Sequence, residues 1–388
     1  MKKNFKIVVG CMIVITFFTR CKQEYIPEVE EKNIRLLVVE GFLNSGQGQT
    51  KIRLSRTVNL TEIVVTKGEV GAQVRVEGEN GSTFTLTGNT SGEYSIAQLT
   101  LTDNVKYRLW IKTTDGKEYA SDYTSIKYTP PIDSITWIRE SNGVRLYVST
   151  HDPQNATRYY QWEHEETWEF RSAFGSSLKY ISNGVRIVAV DYRFPDQSVD
   201  TTIYKCWKTV NSTSIIVGSS ERLIADVIYL PFHFVGQGSE KLSVLYSVNL
   251  KQNAISHEKY LFLEKMKKNT EQLGSLFDPQ PTQLSGNIHC LTDPNEVVIG
   301  FVEISQQQTK RKFIYRNEVG SWNYVTGCFE NEIDNLPDSI AKYGLGLSPT
   351  IPTLRTPFGA ILKFNAAPEP DCVDCRIGRT NQRPSFWP

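Results

Sequence analysis

The sequence lacks an excess of charge of either sign. It contains 43 lysines and arginines against 42 aspartates and glutamates, which gives a formal net charge of +1 over 388 residues. Nucleic-acid-binding proteins concentrate basic residues on one face or in one stretch, and no basic block follows the N-terminal segment. We therefore predict no nucleic-acid partner. The length predicts two domains with an ample buried core.

The sequence also lacks the short motifs of common enzyme classes. No Gly-x-Ser-x-Gly pentapeptide is present, which excludes the nucleophile elbow of a serine hydrolase. His257-Glu258 begins like a zinc-protease motif, but Leu261 stands where the second histidine is required. Phosphate-binding glycine loops and calcium-binding loops are absent as well. We predict that the protein is not an enzyme and has no catalytic residues and no cofactor.

One run of carboxylates keeps a hydrolase interpretation open. Glycoside hydrolases need two acids facing each other across a cleft, and the run has four: Glu163, Glu165, Glu166 and Glu169. Such a run more often marks a solvated edge, which we favour. In the same stretch, alternation predicts a strand with one largely buried face, made of Tyr160, Trp162, His164, Glu166, Trp168 and Phe170.

Cysteines are few, and two of the seven lie in the N-terminal segment. The others are candidate disulfide cysteines: Cys206, Cys290, Cys328, Cys372 and Cys375. An exported protein oxidises such residues, and two disulfides would leave one cysteine over, but spacing does not determine the pairing. The closely spaced Cys372 and Cys375 also fit zinc or redox motifs, yet matching histidine spacing and a βαβ pattern are missing. We predict structural disulfides and no metal site.

The N-terminal segment resembles an export signal. An apolar run over residues 7–18 follows three lysines and is too short to span a bilayer. Phe18 and Arg20 occupy positions where ordinary signal peptidase requires small side chains, and Cys21 follows directly. We predict a lipoprotein signal peptide over residues 1–20 and lipidation at Cys21, with an uncleaved short anchor as the alternative. Phe18 and Arg20 also depart from the usual lipoprotein cleavage pattern.

The remaining chain is predicted to be mainly β, because Thr, Val, Ile and Tyr recur in short runs. Residues 21–33 are polar and without periodicity, which indicates a tether. Residues 34–128 contain about seven strand-length runs, with hairpin turns at Asn80-Gly81 and Asp115-Gly116. This pattern is typical of an immunoglobulin-like or transthyretin-like β-sandwich. Pro130-Pro131 marks its end.

The second predicted domain covers residues 129–388 and is a larger β-sandwich-like domain. One inserted helix is expected near residues 256–273, since Ser256 suits an N-cap and Gly274 a C-terminus. NIHCLTDPNEVVIGFVEIS is predicted to form a hairpin. Prolines and glycines become dense from residue 331 to 370, which predicts an irregular C-terminal wrap.

Three blocks of sequence resemble a known family. They are LLVVEGFLN with TKIRLSRTV, the stretch from KLSVLYSVNL to GNIHC, and CVDCRIGRTNQRPSFW. The most specific part is GSLFDPQP followed by GNIHC and VVIGF. These blocks resemble an uncharacterised lipoprotein family of Bacteroidota, known as domain of unknown function 4249. The resemblance implies an outer-membrane location beside TonB-dependent receptors. It implies no catalytic residue for this chain, because none is assigned in the family.

Together these features predict a lipid-anchored protein of the outer membrane that is exposed at the cell surface. Its expected role is an accessory binding or gating subunit of a TonB-dependent nutrient transporter, so the expected partners are a TonB-dependent outer-membrane receptor and the membrane. The alternative is an independent surface adhesin or glycan-binding lipoprotein that presents exposed aromatic side chains.

Overall fold

The computed structural model describes residues 35–58, 67–271 and 286–388. The predicted signal peptide, Cys21 and the tether lie outside these ranges, as do Gly274 and the rest of GSLFDPQP. The described part contains 24 strands and three α-helices, which confirms the mainly β fold class. None of the helices described is long and apolar enough to cross a membrane.

The N-terminal strands form one extended sheet around an apolar core. They are β1 (Leu37–Asn44), β2 (Thr50–Arg56), β3 (Gln73–Gly78), β4 (Thr83–Gly88), β5 (Glu93–Ile96), β6 (Tyr107–Lys112), β7 (Glu118–Ser121) and β8 (Lys127–Tyr128). Alternate side chains such as Ile52 and Leu54 of β2 are buried, as a one-sided strand requires. Both predicted hairpins are confirmed: β3 pairs with β4 and β6 with β7, and Gly81 and Gly116 adopt the positive φ that these turns need.

Three strands from much later in the chain complete this sheet. They are β18 (Ile288–Cys290), β19 (Val298–Gly300) and β20 (Ile304–Gln306). β18 pairs with β7, whereas β19 and β20 run parallel to β1. β18 and β19 are therefore not the two arms of a hairpin, as the sequence suggested. Their apolar side chains join the N-terminal core, so this part of the predicted 129–388 domain packs with the first sandwich.

The second sandwich consists of two facing sheets. The first contains β9 (Ile132–Glu140), β10 (Gly143–Asp152) and β16 (Asp226–Gly236). In this sheet β10 lies in the middle, between β9 and β16. The second is built on β11 (Tyr159–Arg171), β14 (Lys205–Asn211), β15 (Ile216–Ser219), β17 (Leu245–Ala254) and β21 (Gln308–Tyr315). Trp162, Tyr160, Tyr246 and Trp322 are fully buried between the sheets. The predicted buried face of β11 is confirmed over its whole length.

A third group of strands, the distal sheets, has a small core of its own. It comprises the hairpin β12 (Leu178–Ser182) and β13 (Ile187–Tyr192), packed on β22 (Asn331–Asp334), β23 (Ser348–Arg355) and β24 (Ile361–Ala367). The segment predicted as an irregular wrap therefore contains three paired strands. Pro349 and Pro352 lie in β23 beside register shifts, which explains why proline density obscured the strand pattern.

The helices are α1 (Thr201–Tyr204), α2 (His257–Glu271) and α3 (Pro337–Ser339). The predicted helix is α2, which begins directly after Ser256. The Ser256 hydroxyl accepts a hydrogen bond from the Lys259 amide at 3.0 Å, as an N-cap does. Phe262 and Leu263 pack α2 against the rings of Tyr159 and Phe301, at the junction of the two sandwiches.

Candidate functional site

The structure pairs four of the five candidate cysteines. Cys206 of β14 is bonded to Cys375, and Cys328 to Cys372, at sequence separations of 169 and 44 residues. Cys372 and Cys375 thus attach one C-terminal segment to two different places. Closing the 44-residue loop stabilises the fold by about 4 kcal/mol in the chain-entropy account. Cys290 is the free cysteine among the described residues, and it is buried in the first sandwich.

A cleft lies where the two sandwiches meet; we call it the junction cleft. Its volume is about 830 Å³, a usual size for a small-ligand site. Its walls come from the linker between β8 and β9, from the turn between β10 and β11, and from the start of α2. Tyr128 lies on one side, with its hydroxyl donating to Asp103 at 2.7 Å. On the other side the ring of Tyr159 stacks on His257, with 5.0 Å between ring centroids.

The junction cleft offers aromatic surface and hydrogen-bonding groups. A hydrogen bond to Glu221 raises the pKa of Tyr159 to about 12, so its hydroxyl stays protonated. Arg158 is already engaged with the carbonyls of Ser220 and Leu223. Asp152 and Glu258 also line the cleft, so this mixture suits recognition of a polar ligand.

A second, more apolar groove runs under α2. Its volume is about 570 Å³, and Phe262, Met266 and Phe301 line it. Lys259 lies at its wall and is buried, and this burial lowers the pKa of the ammonium against the opposing effects of Glu303 and Glu163. The groove therefore joins both sandwiches through apolar contacts, and the cationic side chains of Lys259 and Arg53 both line it.

Inside the second sandwich, two histidines and a glutamate meet; we call them the His–Glu cluster. β11 presents His164 and Glu166 on the same face, two residues apart, and β16 brings His233 from the opposite sheet. One ligand atom from each of the three lies within 4.8 Å of the others. The His164 and His233 ring centroids are 4.5 Å apart.

Two hydrogen-bond donors and one imidazole surround Glu166. The Lys241 ammonium donates to Oε2 at 2.6 Å, the Tyr246 hydroxyl donates to Oε1 at 2.7 Å, and Nε2 of His233 lies 2.6 Å from Oε1. Burial by itself raises the pKa of Glu166, but these neighbours outweigh it and hold the pKa at about 2. Burial, and then the charge of His233, lower the pKa of His164 to about 4. At neutral pH the cluster thus holds a carboxylate beside a neutral imidazole.

Two other glutamates of the run form ion pairs. Glu169 is buried, against the expected solvated edge, and pairs with Arg171 at 2.9 Å and Lys205 at 3.2 Å. Glu165 pairs with Arg311 at 3.2 Å. Because β11 pairs regularly with β14, Glu166 and Glu169 point to opposite faces and do not form the acid pair of a glycoside hydrolase.

Sequence reasoning missed the His–Glu cluster. The His-x-Glu spacing on a strand was a readable local signal, because residues two apart share a face. The third member, His233, has no such signal, since only the packing of one sheet on the other brings it there.

Comparison with known proteins places the chain in a family. The family model described as Domain of unknown function (DUF4249) matches residues 22–311. The chain belongs to this family. A search of curated proteins found none that matches this chain.

Two of the solved structures that match are distant likenesses. Chitinase ChiA74 from Bacillus thuringiensis is 11% identical with a TM-score of 0.15, and the match covers 54% of this chain and 30% of the chitinase. A structure titled as manganese lipoxygenase of Gaeumannomyces graminis with partial zonadhesin of Komagataella pastoris is 9% identical with a TM-score of 0.18, covering 58% of this chain and 90% of that one. Likenesses this remote carry no argument about function.

Proposed function

We propose that this protein is a lipid-anchored outer-membrane lipoprotein that serves as an accessory binding or gating subunit of a TonB-dependent nutrient transporter. The signal-like N-terminus and Cys21 support export and anchoring. The two disulfides support an oxidising location outside the cytoplasm. The junction cleft supports capture of a small ligand.

The observation that carries the proposal is the exposed apolar surface of the distal sheets. Val185, in the turn between β12 and β13, is 92% exposed, and Phe358, in the turn between β23 and β24, is 98% exposed. Tyr343, Leu345 and Leu354 of the same region are also exposed. Apolar side chains exposed this far at the turns of two hairpins are candidate contacts for another protein, and we take them as the docking surface.

The test is a pull-down of the full chain from membranes solubilised in mild detergent. We expect a β-barrel receptor to co-purify with the tagged wild-type protein. Replacing Val185 and Phe358 by serine is expected to lower receptor recovery about tenfold or more, since losing interface anchors costs about 2 kcal/mol or more each. Ile224→Ser is the matched control, because Ile224 is an equally exposed apolar residue outside the distal sheets.

Two outcomes would contradict the proposal. One is a wild-type protein that never recovers a β-barrel receptor, and the other is equal recovery by the double variant and the wild type. The anchor is checked separately with Cys21→Ala, which we expect to release the protein from the membrane fraction and to change its mature mass.

A second candidate function, glycan binding by an independent surface lipoprotein, rests on the junction cleft. Tyr128 is exposed there, and Tyr159 presents a ring stacked on His257. Tyrosine rings with free faces stack on sugars while their hydroxyls hydrogen-bond. Retention on immobilised glycans that Tyr128→Ala abolishes would favour this function, and no retention on any glycan would remove it.

A further inference from the structure

We propose that His164, Glu166 and His233 form a binding site for one divalent transition-metal ion, with zinc the best match to the donors. This inference is independent of the proposed transport role. Two imidazole nitrogens and a carboxylate oxygen are the ligand set that zinc and its neighbours in the first transition row prefer.

The geometry needs little adjustment to hold an ion. Zinc binds nitrogen and oxygen donors at about 2.0–2.2 Å, so two donors of a tetrahedral site lie about 3.4 Å apart. The three donor atoms here lie within 4.8 Å of one another. Side-chain rotations that move each donor by less than about 1 Å bring all three into range. The cluster uses three ligands, which leaves a fourth position open for water or a bound molecule.

The histidine nitrogens are placed as ligands rather than as hydrogen-bond donors. Nδ1 of His164 is buried and has no hydrogen-bond partner among the described residues, although the side chain is 95% buried. Nε2 of His233 is also buried; it lies 2.6 Å from Glu166 Oε1 but does not meet hydrogen-bond geometry with any described residue. Buried polar atoms without partners are rare, and a shared ion would satisfy both nitrogens at once.

Neighbouring residues are arranged as the surroundings of a metal site usually are. Ligating carboxylates are themselves hydrogen-bonded, and Lys241 and Tyr246 each hold one oxygen of Glu166. The Lys241 ammonium balances the carboxylate on the side away from His233. Phe232, whose ring lies 5.6 Å from that of His164, adds an apolar wall. His233 is 18% exposed, which leaves a path by which an ion can enter.

The alternative is a metal-free network in which His233 and Lys241 simply neutralise Glu166. The two explanations differ in what His233 does. In the metal-free network its loss weakens only folding, whereas in a metal site its loss removes ion binding even while the fold persists.

The experiment measures metal binding by the full chain purified in detergent and stripped with a chelator. We expect one Zn²⁺ per chain by isothermal titration against a competing chelator, and visible absorption bands of a tetrahedral site when Co²⁺ is used instead. His233→Gln is expected to weaken Zn²⁺ binding by about 100-fold or more, beyond the 10–100-fold typical of changes outside the ligand set.

His151→Gln is the matched control. His151 also lies beside a carboxylate, with Nδ1 2.8 Å from Asp133 Oδ2, but at the surface and without a third ligand. This variant should bind Zn²⁺ like the wild type. His164→Gln, a more buried change, is compared only if its circular dichroism matches the wild type. The proposal is overturned if the wild type takes up no stoichiometric Zn²⁺ or if His233→Gln binds Zn²⁺ as tightly as the wild type.

Discussion

The two sandwiches each hold a glutamate beside basic side chains, but in different surroundings. In the first, Glu77 accepts from Arg75 at 2.6 Å and Arg108 at 2.8 Å near the surface. In the second, Glu166 is buried between the sheets with Lys241 and His233. A surface ion pair gains little because water competes with it, whereas a buried carboxylate depends on every partner it has. Glu77 therefore contributes little to the fold, whereas Glu166 marks a site.

The sandwiches also differ in how the chain closes them. The first draws β18, β19 and β20 from a distant part of the sequence, and their side chains Ile288, Val298 and Ile304 complete its core. The second also takes β21 from beyond β20, and it is tied to the C-terminal segment by the Cys206–Cys375 disulfide. Both sandwiches therefore use strands from the later part of the chain, and a covalent bond also reinforces the second.

The largest expected effect comes from separating the first sandwich from its distant strands. A fragment of residues 34–128 should not fold cooperatively, because β1 and β7 lose their outer neighbours and the core is left open to water. Urea unfolding followed by circular dichroism is the measurement. The matched control joins residues 286–306 to the fragment through a Gly-Ser linker and should recover a cooperative transition. A sharp transition in the short fragment would show that the distant strands are dispensable.

A smaller effect is expected from Glu166→Ala in chelator-treated full chain. Removing the carboxylate leaves the buried Tyr246 hydroxyl and the half-buried Lys241 ammonium without their partner, which should lower the free energy of unfolding by about 2–3 kcal/mol. Urea titration at neutral pH measures this change. A loss below about 1 kcal/mol would mean that the buried and surface glutamates are energetically alike, and the contrast between the sandwiches would disappear.

The smallest effect is expected at Glu77. Burial raises its pKa, but hydrogen bonds from Arg75 and Arg108 outweigh this and hold the pKa below its usual value. A depressed folded-state pKa stabilises the fold above the usual glutamate pKa and loses that contribution as the pH falls through the folded value. Glu77→Gln should therefore cost less than about 1 kcal/mol at pH 7 and almost nothing in strong acid. Equal costs at both pH values would contradict an electrostatic role.

Local signals in the sequence predicted much of the fold. The turns at Asn80-Gly81 and Asp115-Gly116 and the start of α2 after Ser256 all appear where the sequence placed them. Each depends on interactions within a few residues, such as a positive φ at glycine or a hydroxyl that caps a helix. The alternation along β11 likewise predicted which face is buried, because a strand repeats every two residues.

The sequence predicted only part of the candidate site. His164 and Glu166 were placed on one buried face, but Glu166 was also counted among charges of a solvated edge. Its burial is tolerable only because Lys241 and Tyr246 contact it. Lys241 and Tyr246 lie far from Glu166 in the sequence, so no local pattern predicted these contacts.

The sequence by itself determined the β-rich class, the hairpins, the single long helix among the described residues, and a cysteine set suited to two disulfides. Tertiary structure alone decided that Cys206 meets Cys375 and Cys328 meets Cys372, that β18–β20 belong to the first sandwich, and that His233 reaches His164. There is a physical reason why the sequence predicted the first set of features and only the tertiary structure showed the second. Backbone periodicity and turn chemistry act over a few residues, whereas partners from opposite sheets are chosen by how the whole core packs.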